Sequence, residues 1–465
     1  MKQKLLKGAL WVILASLFVK VLSIVYKIPY QNLTGDKGYY IYQQTYPLYA
    51  LLQQFGSFAL PLALSEAMLK EKNKERVLSS SLVVTLICGL IFTVAIISLY
   101  PFLGTIMGDT RLNLLFLPLV FVLLLIPFLG VVRGYLYHHE DTIGYVGVST
   151  SIEQLLRIII IIIVLILYVN NKITNLYHVA CFSLTGYVIG IIAGLIVVIS
   201  KFSLRQLQFN NIDLKYGYSI LKRSVFLLLS ATILLLMQVI DSFTIINTLI
   251  KKMTLEEAMV IKGIYDRSLP LIQTALFYVF PLLSTFIPHA KSKYDFQQII
   301  LAIVSLALPA TVGLIKVMPE VNILLFKDRN LSHVLQVNMA IIFIYALVLT
   351  YTSMMTSKRN LLFIVFVGLL LKCSGNLLLI SLFGIIGACL SNIIALLIML
   401  IMLIIINRKE IIMPYYPILK VVIAVLIMLP FLFLVKNLYL TIIIGIVIYG
   451  ITFYLLKIHK YFSFE

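Results

Sequence analysis

YQQTYPL at residues 42–48 and YDRSLPL at residues 265–271 share a tyrosine, four intervening residues and a Pro-Leu pair. They lie 223 positions apart in a chain of 465 residues, and each sits inside a long apolar run. A shift of 221–223 residues sets the first apolar run on the seventh, the second on the eighth and the fifth on the eleventh. The same shift puts Lys20 on Asp241 and Glu153 on Asn376. The chain therefore reads as one structure written twice. The copies differ in charge: Asp266 and Arg267 stand where the earlier motif has Gln43 and Gln44.

Composition fixes the class. The chain is 62% hydrophobic and 12% charged, with a mean hydropathy of +1.07. Soluble domains carry about 25% charged residues. Fourteen apolar runs fall at about 7–32, 39–69, 77–102, 112–136, 143–168, 175–200, 219–249, 256–288, 296–316, 334–356, 361–382, 385–406, 415–435 and 437–457. Each can cross a hydrocarbon core of ~30 Å as a helix. The expected fold is an all-α integral membrane protein with about 14 transmembrane helices. Six helices return a chain to its starting side, so two six-helix lobes would be parallel, related by a pseudo-two-fold axis along the membrane normal. The expected divisions are 1–203 for the N-terminal lobe, 204–410 for the C-terminal lobe, and 411–465 for two further helices. The longest connection, about 201–218, is too short to bury a core of its own.

The opening MKQKLLK with its apolar continuation imitates a signal peptide. The helical pattern runs on to Pro29 without a small-residue cleavage site, so it reads as a retained first helix. Cys88, Cys181, Cys373 and Cys389 all fall inside apolar spans and read as packing residues, with no metal site assigned. With both ends placed in the cytoplasm, 21 basic residues fall on the inner side, Arg133 among them, and 9 on the outer side. That bias supports the cytoplasmic membrane with both termini inside. The net charge of +19 is then an address and an affinity for anionic membrane lipid, not for nucleic acid.

Seven basic residues remain within helices: Lys20, Lys27, Arg157, Arg267, Lys316, Lys372 and Lys420. A charge at mid-bilayer costs about 2.5–3.5 kcal/mol on insertion scales, so such residues call for a cavity or a partner. Lys27, Lys316 and Lys420 stand near helix ends and can snorkel. Glu153 with Arg157, and Lys262 with Asp266, have the i,i+4 spacing of a helical ion pair. Lys20 and Asp241 have no complementary charge at that spacing, while Lys20 and Lys27 share one face of the first helix. Positive charge from both halves suits an anionic passenger such as a pyrophosphate headgroup. The candidate substrate-binding residues are Lys20, Lys27, Glu153, Arg157 and Arg267.

The run KVLSIVYKIPYQNLTGDKGYYIYQQTYPLYALLQQFGSFALPLALSEAM (20–68) resembles the polysaccharide-biosynthesis branch of the multidrug/oligosaccharidyl-lipid/polysaccharide exporter superfamily. It looks most like the stage V sporulation protein B group and is more distantly similar to lipid II flippases. IYDRSLPLIQTALFYVFPLLSTFIP (264–288) resembles the eighth helix of such flippases, whose cavity-lining arginine would be Arg267. The resemblance implies alternating-access flipping of undecaprenyl-pyrophosphate-linked saccharides, and it matches Lys20 to a first-helix arginine. A second-helix arginine after the proline has no counterpart in PLYALLQQ. Relatives can bind sodium between the seventh and eleventh helices; Asp241 and Asn376 match, but the acid expected one turn later is Ile380. Sodium or proton coupling through Asp241 and Asn376 is the expectation.

No phosphate-binding G-x-x-x-x-G-K-[ST] loop occurs, so direct ATP use is not expected. The resemblance separately implies a transporter, not an enzyme, and the expectation is a monomer without a cofactor. A drug or cation antiporter of the same fold is the alternative; it would want acids open to the cavity. YHHEDT (137–142) is the one histidine cluster and reads as a solvated turn.

Overall fold

The structure is a computed structural model that describes residues 26–139, 141–203, 207, 212–287, 292–355, 358–408, 413–435 and 437–462. Among these, every regular element is a helix. Eleven helices are long and apolar enough to span a membrane, and one bent pair raises that to twelve. Of the fourteen expected runs, the first lies mostly outside the described residues and the eighth is broken into three pieces. The exposed surface of the helices is strongly apolar, with Ile91, Phe92, Leu378 and Leu382 among many side chains turned outward, as lipid-facing residues are.

The chain divides into two compact units, the first ending at Asn247 and the second starting at Thr248. The first unit opens with α1 (Lys27–Lys70). Gly35, at φ 70° and ψ 178°, interrupts it in a conformation that glycine adopts without a Cβ clash. Residues 27–34 thus end the first apolar run, and the second begins beyond Gly35. Pro47 lies inside α1, and a π-turn at Phe55–Ala59 inserts one extra residue before Leu60. Such turns widen a helix and re-aim its side chains. There follow α2 (Lys74–Ile106), α3 (Thr110–His138, beginning as a 3-10 turn), α4 (Ile143–Val169) and α5 (Leu176–Ile199).

The α4–α5 hairpin shows why these two helices approach so closely. A Cβ on Gly186 would stand 2.9 Å from the Arg157 carbonyl oxygen, and one on Gly190 only 2.5 Å from that of Glu153. Membrane helices lack a hydrophobic drive toward each other, so small residues at every fourth position let backbones touch. The expected seventh span is two helices, α6 (Leu214–Ala231) and α7 (Ile233–Leu249), bent by 81°. No proline causes the bend. Ser230 and Thr232 donate their hydroxyls back to Leu227 O and Leu228 O, which loosens the helical ladder at that point. Helix also begins earlier than expected, because Asp213 caps it by accepting from Tyr216 N.

In the second unit, Thr254 and Glu257 form the capping box that starts α8 (Leu255–Asp266). Then come α9 (Ser268–Ala275) and α10 (Val279–Phe286). Proline lacks an N–H and crowds the carbonyl four residues back. Pro270 and Pro281 account for the breaks, since those carbonyls belong to Asp266 and Phe277. The remaining elements are α11 (Lys293–Phe326), α12 (Ser332–Met354), α13 (Lys358–Phe383), α14 (Ile385–Asn407), α15 (Tyr415–Leu434) and α16 (Leu438–Leu455). Val425, Met428 and Leu432 of α15 pack on Leu308 and Val312 of α11, and Tyr449 of α16 donates to Ser305 O.

Candidate functional site

Each unit buries a polar cluster, and each is built differently. In the first unit the cluster runs across α1, α3, α4 and α5. Arg133, Glu153 and Arg157 are at most 2% exposed. Arg133 pairs with Glu153, Nη2 to Oε2 at 2.7 Å, and donates to Ser149 Oγ (2.8 Å) and Ser57 Oγ (2.9 Å). Ser149 in turn donates to Gly194 O, which fixes its lone pairs toward the arginine. The other Glu153 oxygen accepts from Gln53 Nε2 at 2.9 Å, and Gln53 Oε1 accepts from Arg157 Nη1 at 2.9 Å. The result is a single chain of contacts: Ser57, Arg133, Glu153, Gln53, Arg157. Gln53 stands just before the π-turn and Ser57 lies within it, which is how both reach the cluster from one helix.

Arg157 then faces aromatic rings. Its guanidinium lies 4.7 Å from the Tyr187 ring centre and 5.6 Å from that of Tyr26. Its Nε and Nη2 have no hydrogen-bond partner of acceptable geometry. Lys27 Nζ rests 4.1 Å over the Tyr46 ring, and Tyr26 shares a hydroxyl bond of 2.9 Å with Tyr42. Cation–π contacts of this kind hold a charge without neutralising it.

These contacts correct two expectations. Glu153 does not pair with Arg157; it pairs with Arg133, because α3 brings a second arginine to the same carboxylate. Arg133 itself is not an inner-loop residue but is fully buried inside α3, which continues to His138. The spacing Ser149-Glu153-Arg157, matched by Gly186-Gly190-Gly194 in the next helix, was the available signal for this cluster. Lys20 lies outside the described residues.

In the second unit Arg267 sits at the α8–α9 break. Its Nη1 donates to Asn322 Oδ1 at 2.9 Å and its Nη2 meets Asp328 Oδ2 at 3.1 Å, with the Phe326 ring centre 5.3 Å away. Partial burial pushes the Asp328 carboxyl up. The Asn330 N–H and the Arg267 guanidinium outweigh that, and it settles below the usual carboxylate value. Lys262 and Asp266 form the expected pair at 2.8 Å. Asn392 of α14 donates to the Tyr265 hydroxyl, and Asn338 of α12 to Ser268 Oγ. Asn322 and Asp328 were not foreseen, since they reach Arg267 from 55 and 61 residues away.

The two ion-coupling candidates are both buried. Asp241 is on α7 in the first unit. Asn376 is on α13 in the second, where its Oδ1 accepts from Lys372 Nζ at 3.0 Å; the same ammonium donates to Ala388 O at 3.2 Å.

A chain of many membrane-length helices that buries charge in its interior is a multi-pass membrane protein. The chain belongs to the polysaccharide biosynthesis protein family, whose model matches residues 5–295. It thus falls in the polysaccharide branch of the multidrug/oligosaccharidyl-lipid/polysaccharide exporter superfamily. It is 28% identical over 411 residues to the uncharacterized membrane protein YabM of Bacillus subtilis strain 168, covering 83% of this chain and 76% of that one. It is 27% identical to the lipid II flippase MurJ of the same organism over 43% of this chain and 39% of that one. Among solved structures, a lipid II flippase MurJ in an inward closed conformation matches with a TM-score of 0.73 at 16% identity, covering 95% of this chain and 97% of that one. An inward-facing multidrug transporter of the superfamily matches with a TM-score of 0.64 at 12% identity, covering 84% and 94%. These last two speak to the fold.

Proposed function

We propose that this protein is an alternating-access flippase in the cytoplasmic membrane, both termini inside. It carries an undecaprenyl-pyrophosphate-linked saccharide, lipid II or another cell-envelope precursor, from the inner to the outer leaflet. The observation that carries this reading is the sign and pairing of the buried charge. Among the described residues, Lys27, Arg133, Arg157, Lys262, Arg267 and Lys372 are buried, against Asp109, Glu153, Asp241 and Asp266. Glu153, Asp266 and Asp109 already have basic partners. A cation or drug antiporter needs open carboxylates, whereas a pyrophosphate needs open cations. The first unit supplies one in Arg157, set between tyrosine rings with two of its donors lacking a hydrogen-bond partner.

In this reading Lys20 and Arg267 meet the pyrophosphate during passage. The coupling ion, sodium or a proton, acts through Asp241. Asn376 joins that role with its oxygen engaged by Lys372. The test is reconstitution of the purified protein in liposomes, following the access of an outside reagent to lipid II and, in parallel, to a capsule-type lipid-linked unit. Transport of either, abolished in Lys20→Ala and Arg267→Ala, supports the reading and names the passenger class. Transport of neither, with ethidium efflux instead, would replace it with the antiporter. Exchange of sodium for potassium in the same assay separates sodium from proton coupling.

A further inference from the structure

Two arginines compete for one carboxylate in the first unit, and the outcome is lopsided. Glu153 gives one oxygen to Arg133 and the other to the Gln53 amide. Arg157, one helical turn along, receives only the neutral Gln53 Oε1. Gln53 thereby stands as a spacer between a carboxylate and a guanidinium that the i,i+4 spacing would otherwise let meet. Arg157 is left with its full charge and with two buried donors, Nε and Nη2, that bond to nothing; the Tyr187 hydroxyl is likewise buried without a partner. Buried donors without acceptors are rare in folded chains, because each forgoes the hydrogen bonds it had in water. Three donors around one guanidinium, between two ring faces, want a ligand that is acceptor-only and negative.

We propose that Arg157 is an anion subsite of the first unit, taking a phosphate or pyrophosphate oxyanion, and that Arg133 and Gln53 are positioning residues which keep Glu153 away from it. Arg157 is buried in this state, so the anion reaches it when the tyrosines around it part. The subsite rests on the flippase reading for its natural ligand, but not for its existence. Arg133 acts on anion affinity at a distance, by holding Glu153, the one carboxylate that contacts the network among the described residues. Removing Arg133 frees Glu153 to neutralise Arg157, and removing both should restore the site.

The experiment is calorimetric titration of inorganic pyrophosphate into the full chain in detergent, with a second arm using undecaprenyl diphosphate and the neutral alcohol undecaprenol as its control. Arg157→Gln should weaken pyrophosphate binding by about tenfold or more, the equivalent of ~1.4 kcal/mol. Arg133→Gln should weaken it comparably, and Arg133→Gln/Glu153→Gln should recover most of the loss. Should Arg133→Gln fail to fold, Gln53→Glu serves: it is near-isosteric, sets a carboxylate against Arg157, and should abolish binding. Binding unchanged in Arg157→Gln, no pyrophosphate binding by the parent chain, or no recovery in the double variant would each overturn the proposal. Arg157-dependent binding of the diphosphate lipid makes the ligand a headgroup; binding of pyrophosphate alone makes it a free anion, and the subsite stands either way. Flipping that persists while Arg157→Gln binds normally sinks the subsite and spares the flippase. Arg157-dependent binding without any flipping does the reverse.

Discussion

The two copies of the Tyr-x-x-x-x-Pro-Leu motif solve one problem in two ways. In the first unit the motif is neutral, and its helix passes Pro47 unbroken; Gln44 ties it to α7 by donating to Ser242 O. Charges are brought in from α3 and α4, with the rings of Tyr26 and Tyr187 flanking Arg157, while Tyr46 of the motif carries Lys27 of α1 on its face. In the second unit the motif carries its own Asp266 and Arg267. The helix breaks beside them at Pro270, and Arg267 ties to the end of α11 and the loop after it. The same position in the repeat, Gln44 or Arg267, is in both cases the long-range tie. A neutral amide needs only backbone carbonyls, whereas a guanidinium needs an acid, and Asp328 supplies it. The consequence is that the second unit's arginine is neutralised in this state, while the first unit's Arg157 is not.

The largest test of that contrast is Glu153→Gln. It leaves Arg133 without its carboxylate in a fully buried setting, and loss of one partner of a buried pair costs about 3–5 kcal/mol. Thermal unfolding in detergent should show a large drop. Asp328→Asn should cost less, because Asp328 is 26% exposed, the asparagine keeps an oxygen toward Arg267, and Asn322 still accepts from the guanidinium. Equal losses would mean that the two clusters are not electrostatically different, and the comparison would fail.

The hairpins sharpen it at the level of packing. In α4–α5 the obstacle to a Cβ on Gly190 is the backbone oxygen of Glu153, at 2.5 Å. In α13–α14 a Cβ on Gly375 would meet the Ser391 hydroxyl, at 2.8 Å, and a side chain can turn away where a backbone cannot. Overpacking a well-filled interface costs about 1–3 kcal/mol. Gly190→Ala should fall in that range and Gly375→Ala below it. Gly190→Ala should also shift Glu153 and so weaken pyrophosphate binding, which the titration would register.

Sequence reasoning reached the helical membrane class and the family, because apolar run length and the motif-bearing stretches are local signals. It found Lys262–Asp266 for the same reason: the pair is one turn apart. It mispaired Glu153, because the competitor Arg133 lies on another helix and only the packing of α3 against the α4–α5 hairpin brings it in. It missed Asn322 and Asp328 because they meet Arg267 through tertiary folding of α11. The breaks at Asp266 and near Phe277 were written in Pro270 and Pro281, but one apolar run from 256 to 288 hid them. The bend at Thr232 had no such mark beyond a Ser-Ala-Thr step, which is common in straight helices.

The smallest expected effect concerns a clasp at the start of α6. Asp213 caps that helix and also meets Arg76 Nη2 of α2 at 2.5 Å, while Arg223 of α6 makes two bonds to Glu66 of α1. The Tyr216 N–H first, and then Arg76, hold the Asp213 carboxyl below its usual value. A lowered carboxylate contributes stability that is present above its unfolded value, about 3.9, and lost as pH falls through the folded one. The clasp should therefore be whole at neutral pH and open only below about pH 4. Both partners are solvent-exposed, so global stability should hardly register it. Hydrogen exchange in the first turn of α6 should register it instead. Asparagine still caps a helix but carries no charge. Asp213→Asn should thus keep the first turn protected at neutral pH and erase its acid sensitivity, while Asp213→Ala should lose protection at every pH. If Asp213→Asn frays as fully as Asp213→Ala, the ion pair with α2 rather than the cap is what starts α6, and the helix owes its beginning to tertiary contact.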